Sequence, residues 1–447
     1  MWGRVNFALE RSKPIAERGV VTQLTGLIIE GNGPAASIGT TCSIVQDGKR
    51  ILAQVVGFRK DRILLMPLDD MHGIAPGATI LAHGQGSNIV ASTQLLGRTI
   101  NPMGEPLDDG PAFTDGEEVP LFSQPPSPLG RARIERPYNT GMKVINSLLR
   151  IGEGQRVAIM AGSGVGKSTF LGMIARHALS SVNVIGLVGE RGREVREFIE
   201  RDLGEEGLRK SIIVVATSDT SALMRIRAAF VATAIAEYFR DRGENVTLML
   251  DSITRFCMAQ REIGLAVGEP PSAHGYTPSV FAILPKLLER AGTKVGAGAI
   301  TGFYTVLVEG DDMNEPITDA VRGILDGHIV LSRDLAGRGH YPAVDVLQSI
   351  SRLMPELLDE EGMQLAYRAR RVLADYREAE DLITIGAYKE GQNPKVDYAV
   401  QHIDRLNTFL TQMPTQKFSL EETARLLRAV FAEEQANATV GKVANVR

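Results

Sequence analysis

The stretch that most constrains this chain is residues 161–169, which read AGSGVGKST. An apolar run at 157–160 precedes it, and residues 170–179 follow with apolar side chains at helical spacing. This order predicts a strand, a glycine-rich turn and a helix. Such a turn directs backbone N–H groups inward, and its glycines admit phosphate oxygens that a Cβ would block. The stretch is therefore interpreted as a loop that binds nucleotide phosphates.

The loop residues have distinct expected roles. Lys167 is expected to reach the β- and γ-phosphates, and the Ser168 hydroxyl to bind Mg²⁺. Ala161 stands where the usual pattern opens with glycine, but the glycines that follow keep the turn flexible. The residues predicted to bind the nucleotide are Gly162, Ser163, Gly164, Val165, Gly166, Lys167, Ser168 and Thr169.

The composition of the chain limits its class. Its 447 residues exceed one ordinary core, so two or three domains are expected. A hydrophobic content of 44% and a charged content of 23% are typical of a globular protein, and a net charge of -4 argues against a general nucleic-acid binder. Cys42 and Cys257 are interpreted as reduced thiols. No apolar run is long enough to cross a bilayer.

The first two segments of the chain differ in pattern. In residues 1–19, Trp2, Val5 and Leu9 share a helical spacing, which favours equally a docking helix and a helix packed on its own domain. Residues 20–92 contain short apolar runs, and the Asp-Gly pair at 47–48 and the Pro-Gly pair at 76–77 are expected as hairpin turns. This segment predicts a small β-barrel, without the interleaved aromatic and basic residues typical of oligonucleotide binding.

The rest of the chain predicts a sheet-based core and a helical end. Residues 93–350 open with a Gly- and Pro-rich linker at 93–150, and then alternate continuous apolar strands with helices, which indicates buried parallel strands. Residues 351–447 have helical patterns, with a capping box at Ser419 and Glu422. The predicted fold class is α/β, with a small N-terminal β-barrel, a central RecA-like P-loop domain on a parallel sheet and a C-terminal helical domain.

Two more strand ends carry candidate catalytic residues. Asp251 ends a buried run, where a carboxylate can hold Mg²⁺ or cap the next helix. Glu190 follows another buried run and could activate the attacking water, while Arg191 could stabilise charge on phosphoryl oxygens. From spacing alone, the charged run at 190–194 is equally typical of a solvated turn.

Several longer segments together resemble a known family. The segments AGSGVGKST, GERGRE, LMLDSITR, GEPPSAHGYTPS, GHYPAVDVLQSISR and YREAEDLITIGAY are similar to the hexameric ATPases related to the catalytic β subunit of rotary ATP synthase. The chain more closely resembles the type III export ATPases. Within them, FYTVLVEGDDMNEPITDAVRGILDGHIVLSR and YREAEDLITIGAY look most like the flagellar branch. The resemblance extends over nearly the whole chain.

The resemblance implies specific roles around a site for ATP and Mg²⁺. Lys167 matches the phosphate-loop lysine, and Ser168 matches the Mg²⁺ ligand. Glu190 matches the glutamate that polarises the attacking water, and Arg191 matches an arginine that contacts the γ-phosphate. Asp251 matches the carboxylate of the Mg²⁺ site.

Three positions farther along the chain complete the comparison with the family. Tyr341 matches the tyrosine that stacks on adenine, a role that suits a planar ring. Arg352 matches the arginine finger that a neighbouring subunit supplies. Glu269 stands where the synthase β subunit has another phosphate-facing arginine, so the full arginine set of the synthase does not transfer, in agreement with the export branch.

The function implied is ATP hydrolysis coupled to export of flagellar proteins through a type III secretion apparatus. The implied partners are a homo-hexamer of this chain, a stator-like regulator dimer at the N-terminus, a central stalk protein, the export gate, and export substrates with their chaperones. The implied location is cytoplasmic, at the periphery of the inner-membrane export apparatus, and no nucleic acid is expected.

The sequence leaves three other functions to consider. An injectisome ATPase is the near alternative. An RNA-dependent hexameric helicase is disfavoured because the barrel lacks an aromatic and basic face, and a non-catalytic subunit is disfavoured by Glu190. The sequence specifies neither the substrates and chaperones nor whether the ring persists without ATP.

Overall fold

The computed structural model describes residues 18–85, 87–308, 310 and 312–432. These residues form an N-terminal barrel, a central sheet with helices on both faces, and a C-terminal helical domain, as predicted. The predicted stripe of Trp2, Val5 and Leu9 lies outside the described residues, whereas Arg18 and Gly19 belong to the first strand of the barrel. No helix in the described ranges is both long and apolar enough to cross a bilayer.

The strands, in chain order, are β1 (Arg18–Thr25), β2 (Ile28–Asn32), β3 (Thr40–Gln46), β4 (Lys49–Arg59), β5 (Arg62–Pro67), β6 (Thr79–Gln85), β7 (Asn88–Ala91), β8 (Thr99–Ile100), β9 (Glu117–Pro120), β10 (Arg156–Ala161), β11 (Val182–Glu190), β12 (Ser211–Thr217), β13 (Val246–Asp251), β14 (Gly292–Thr293), β15 (Ala299–Leu307), β16 (Gly327–Leu331) and β17 (Val344–Ser351). The α-helices are α1 (Lys143–Leu148), α2 (Lys167–His177), α3 (Gly192–Glu197), α4 (Gly204–Arg209), α5 (Ala222–Arg240), α6 (Ile253–Val267), α7 (Pro278–Leu288), α8 (Pro316–Ile324), α9 (Arg333–Gly337), α10 (Met354–Leu357), α11 (Glu360–Thr384), α12 (Pro394–Leu410) and α13 (Leu420–Val430).

The barrel closes from six strands in the order β1-β2-β5-β4-β3-β6, with aliphatic side chains inside. Asp47 and Gly48 have φ angles of 49° and 78°, as a two-residue hairpin turn between β3 and β4 requires. The predicted hairpin at Pro76 and Gly77 is wrong. That turn belongs to the connection from β5 to β6, two strands that are separated in the barrel by β4 and β3.

The central sheet has the strand order β17-β16-β10-β15-β13-β11-β12-β8, with β14 beside β15. Only β14 and β17 pair antiparallel to their neighbours within the described sheet. Alternate residues of β10 enter opposite cores, with Ala158 and Met160 on one face and Val157 and Ile159 on the other. Because the parallel strands are covered on both faces, their carboxyl ends form one edge that is open to a ligand.

Two strands of this sheet have no clear sequence signal. The two-residue β8 lies in the predicted linker and is held by its pairing with β12. The edge strand β17 falls at the predicted border of the helical region, where it pairs with β16. Both strands exist because a neighbouring strand supplies hydrogen bonds, which local periodicity does not report.

The C-terminal helices pack on the central domain beside the carboxyl edge of the sheet. The predicted capping box is present, since the Ser419 hydroxyl accepts from the Glu422 N–H and the Glu422 carboxylate accepts from the Ser419 N–H. Gln412, after α12, joins the two domains: its N–H donates to the Tyr341 carbonyl at 2.8 Å, and its side-chain oxygen accepts from the Lys143 N–H at 3.0 Å. The helical domain is thereby fixed next to Tyr341.

Candidate active site

The phosphate loop joins β10 to α2 at the carboxyl edge of the sheet. Gly164 and Gly166 have φ angles of 79° and 87°, which favour glycine, and Gly166 is the residue that caps α2. A Cβ on Gly162 would approach the guanidinium of Arg333 to 2.8 Å. Ser163 is exposed at the tip of the loop. The loop and the first turn of α2 thus present free backbone N–H groups to an anion.

Three charged side chains from three different elements meet at this edge. Lys167 Nζ, in the first turn of α2, lies 2.6 Å from Asp251 Oδ1 at the end of β13 and 3.3 Å from Glu190 Oε1 at the end of β11. Thr305 of β15, the strand between β10 and β13, donates its hydroxyl to the same Asp251 oxygen at 2.6 Å. Lys167 and Glu190 are each 14% exposed. We name this the Lys167 cluster.

The Lys167 cluster contains two carboxylates and one ammonium. Burial, and next the negative charge of Asp251, raise the pKa of Glu190 to about 7, while Lys167 partly opposes this rise. Burial acts to lower the pKa of Lys167, but the charges of Asp251 and Glu190 outweigh it and raise the pKa above its usual value. Glu190 can therefore accept a proton near neutral pH, as a general base must.

The donors expected for Mg²⁺ are oxygen atoms of Ser168 and Asp251. Ser168 is partly buried in the first turn of α2, and Asp251 is almost fully buried. A hydroxyl and a carboxylate suit Mg²⁺, which keeps several water or phosphate ligands. No group of three His, Cys, Asp or Glu side chains in the described ranges offers an all-protein metal site. The donor set, with its surplus negative charge, fits a cation that arrives together with a nucleotide.

The structure separates Arg191 from the core of the site. Arg191 precedes α3, its side chain is 77% exposed, and it lies 3.2 Å from Glu194. Glu269 accepts a hydrogen bond from the Ser279 hydroxyl at 2.6 Å and adds no positive charge to the site. In this structure, neither residue contacts the Lys167 cluster.

Arg352 lies at the other edge of the sheet from the phosphate loop. Ser351, the residue before it, pairs with Gly327 at the start of β16, whereas Leu331 at the end of β16 pairs with Ala161 at the start of the loop. Along β16, Gly327 and Leu331 are four residues of extended chain apart, which is about 13 Å. Arg352 is exposed there. The structure thus does not bring Arg352 to the phosphate loop of its own chain.

Sequence reasoning did not identify Arg255, which follows Asp251 by four residues and lies in the first turn of α6. Its side chain packs against Gly189, where a Cβ would come within 2.8 Å, and its buried Nε has no hydrogen-bond partner among the described residues. Buried polar groups usually have partners, so an incompletely paired guanidinium beside Glu190 suits an anion. The available signal in the sequence was an arginine four residues after the strand-end Asp251, within DSITR, where the helix that follows the strand begins.

A mostly apolar cavity of about 370 Å³ adjoins the phosphate loop. It is lined by Phe170 and Met173 of α2, by Tyr341, and by residues 411–414 after α12. The Tyr341 ring would lie 3.4 Å from a Cβ on Gly166. A flat apolar wall beside a phosphate loop fits a nucleotide base. Sequence reasoning identified Tyr341 but not residues 411–414, which carry no motif and are brought there by tertiary packing.

Comparison with known proteins agrees with a P-loop ATPase built from barrel, sheet and helices. The ATP synthase alpha/beta family matches with its nucleotide-binding domain over residues 141–351 and its beta-barrel domain over residues 21–84. The T3SS EscN ATPase C-terminal domain matches residues 358–429. Together these matches cover the barrel, the central sheet and the helical domain.

Two curated relatives match over nearly their whole length. The flagellum-specific ATP synthase of Bacillus subtilis (strain 168) is 53% identical over 431 residues, which cover 96% of this chain and 98% of the relative. The type 3 secretion system ATPase of Xanthomonas euvesicatoria is 47% identical over 414 residues, which cover 92% of this chain and 93% of the relative.

Two solved structures have a fold similar to that of this chain. Assembled EscN from the enteropathogenic E. coli type III secretion system has a TM-score of 0.87 at 43% identity, covering 92% of this chain and 99% of that one. EscN in complex with its central stalk EscO has a TM-score of 0.85 at 42% identity, with the same coverage. The chain belongs to the ATP synthase alpha/beta family, in its branch of flagellum-specific and type III secretion ATPases, and is an ATP-hydrolysing enzyme.

Proposed function

We propose that this chain is the ATPase of a flagellar type III export apparatus and couples Mg-ATP hydrolysis to protein export. The observation that carries the proposal is the Lys167 cluster beside the phosphate loop, which supplies a phosphate ligand and a base in one buried place. The flagellar assignment is supported by the 53% identity to a flagellum-specific relative. An injectisome ATPase is the second candidate, supported by the likeness to EscN.

The proposed roles follow the positions of the side chains. The loop backbone and Lys167 bind the ATP phosphates, which compete with Asp251 for the ammonium. Ser168 and Asp251 would hold Mg²⁺, which would offset phosphate charge. Glu190 polarises the attacking water, and its neighbour Arg191 turns toward the γ-phosphate.

The proposed base site is the apolar cavity beside Tyr341. The ring of Tyr341 stacks on adenine, and residues 411–414 close the opposite side of the base. Val165 of the loop and Thr169 in the first turn of α2 both line this cavity. This arrangement would make nucleotide binding sensitive to the position of the helical domain, because Gln412 bonds to the carbonyl of Tyr341.

The proposed enzyme works as a homo-hexamer with sites shared between neighbours. Support comes from Arg352, which is exposed and far from its own phosphate loop, and from the assembled form of EscN. We assign Arg352 as the finger that reaches the neighbouring subunit's nucleotide. A central stalk in the ring is supported by the EscN complex with EscO. A regulator dimer at the N-terminus, the export gate, and substrates with chaperones are further proposed partners, at the cytoplasmic side of the inner-membrane export apparatus.

The sharpest experiment mixes two inactive variants. Arg352→Ala should bind ATP but lose about 10³-fold or more in turnover, the usual scale for an arginine finger. Glu190→Gln should also bind ATP and lose turnover. Mixed rings should recover activity at interfaces where one variant lends its base and the other its finger. Arg209→Ala, which removes an exposed arginine of α4, is the matched control and should keep full activity.

Two outcomes would contradict this function. Mixed rings that stay inactive, despite co-assembly on size-exclusion chromatography, would exclude a shared site. Turnover per subunit that does not rise with concentration through the assembly range would exclude a need for the ring. Restored motility in a strain without its flagellar ATPase would separate the flagellar assignment from the injectisome candidate.

A further inference from the structure

The chain between β11 and β12 contains an unusual helical stretch. After α3, residues Phe198–Leu203 form a π-helix, which ends at Gly204 with a φ angle of 62°. Short π-helical stretches widen a helix by one residue and often occur at functional sites. Here the stretch turns Asp202 inward, where it is 4% exposed, while its neighbours Glu200 and Arg201 remain in solvent.

Asp202 contacts the helix that begins at the phosphate loop. Its Oδ1 accepts from the Thr169 hydroxyl at 3.1 Å, and its Oδ2 lies 2.8 Å from Arg201. One turn farther along α2, a Cβ on Gly172 would come within 2.5 Å of the Asp202 carbonyl oxygen. The π-helix and α2 therefore touch at two successive turns, and one of the two contacts is a charge-assisted hydrogen bond.

Thr169 follows Lys167 and Ser168 directly in the first turn of α2. A helical threonine can also turn its hydroxyl back to its own helix, so the bond to Asp202 selects one of two arrangements. The same segment begins at Glu190, since β11, α3 and the π-helix are continuous in the chain. Asp202 thus connects the phosphate loop to the segment that carries the proposed base.

We propose that Asp202 is a positioning residue for ATP, which fixes the first turn of α2 through the Thr169 hydroxyl and so directs Lys167 and Ser168 toward the phosphates. This inference rests on the proposed function, because it requires that the loop binds ATP. Arg201 donates to both Asp202 oxygens, but its side chain is 65% exposed, so water screens its charge. Asp202 itself does not touch the nucleotide.

The test is a double-mutant cycle on ATP affinity in the full-length chain. Asp202→Ala and Thr169→Val should each weaken ATP binding about five- to tenfold, and the double variant should be no weaker than either single one, since both remove the same bond. Thr169→Ser keeps the hydroxyl, so it should lose much less ATP affinity than Thr169→Val does. Arg201→Ala is the matched control and should bind normally. Melting temperature is recorded for every variant, so that a global loss of fold is recognised.

Different results would overturn different statements. Additive losses in the double variant, or normal ATP affinity in Asp202→Ala with only a lower melting temperature, would leave Asp202 a purely structural residue. Lys167→Ala separates the two proposals. If it lowers ATP affinity while Asp202→Ala does not, the positioning role alone is wrong. If Lys167→Ala also binds ATP normally, the proposed function fails with it.

Discussion

Two buried ion clusters in the central domain differ in their balance of charge. In the first, Arg290 is fully buried and meets both carboxylate oxygens of Glu237, while a third bond goes to the Leu121 carbonyl. One cation faces one anion. In the second, Lys167 faces both Glu190 and Asp251, so two anions share one cation.

The difference separates a structural ion pair from the candidate ligand site. The partners of Arg290 are supplied by the chain itself, and the bond to Leu121 holds the linker on the ATPase domain. The Lys167 cluster has two carboxylates for one ammonium. Burial, and next the nearby charge of Asp251, raise the pKa of Glu190 to about 7. A buried cluster of unequal charge is costly by itself and becomes balanced when a cation and a phosphate enter. Of these two clusters, the one with unequal charge is the one beside the phosphate loop.

The largest effect is expected from neutralising Glu190, the proposed base of the Lys167 cluster. Glu190→Gln should lower ATP turnover about 10²- to 10⁴-fold, the usual contribution of a general base, and leave ATP binding nearly unchanged. Steady-state turnover and equilibrium binding of ATP would be measured together. Glu197→Gln makes the same change on the exposed face of α3 and should have no effect. Wild-type turnover in Glu190→Gln would show that this cluster is not the catalytic one.

The next largest effect is expected from breaking the ion pair between Arg290 and Glu237. Arg290→Ala leaves the Glu237 carboxylate buried without its partner and should lower the free energy of unfolding by about 3–5 kcal/mol. Arg196→Ala removes an exposed ion pair with Glu200 that water screens, and should leave the free energy of unfolding almost unchanged. Denaturant unfolding measures both. Replacing Arg290 and Glu237 together by leucine should recover much of the loss, and similar losses for Arg290→Ala and Arg196→Ala would remove the distinction between the two clusters.

The smallest expected effect is the pH dependence of kcat/KM that Glu190 of the Lys167 cluster causes. The raised pKa of Glu190 means that the base is protonated below about 7, so kcat/KM should rise as the pH increases through about 7 and then level off. The same shift makes the contribution of Glu190 to stability present at acid pH and lost as the pH rises through about 7. The residual kcat/KM of Glu190→Gln should lack this rise. A wild-type profile that is flat from pH 6 to 8 would contradict the assigned base.

Much of the site was predictable because it depends on local chemistry. The phosphate loop follows from glycines at positive φ, one lysine and the strand and helix on either side of it. The capping box at Ser419 and Glu422 also depends on residues three apart. Asp251 and Glu190 were recognisable as polar residues at the ends of apolar runs, and the resemblance to known ATPases identified Tyr341 and Arg352.

The sequence by itself therefore determined the order of elements, the loop and the candidate residues. Only the tertiary structure decided which strands are neighbours, and so which candidates meet. Lys167, Glu190 and Asp251 converge because β15 lies between β10 and β13, and residues 411–414 reach Tyr341 because the helical domain docks there. The contact between Asp202 and Thr169 and the failed hairpin at Pro76 have the same origin. Turn and helix signals are local, whereas strand order and side-chain contacts result from packing between distant parts of the chain.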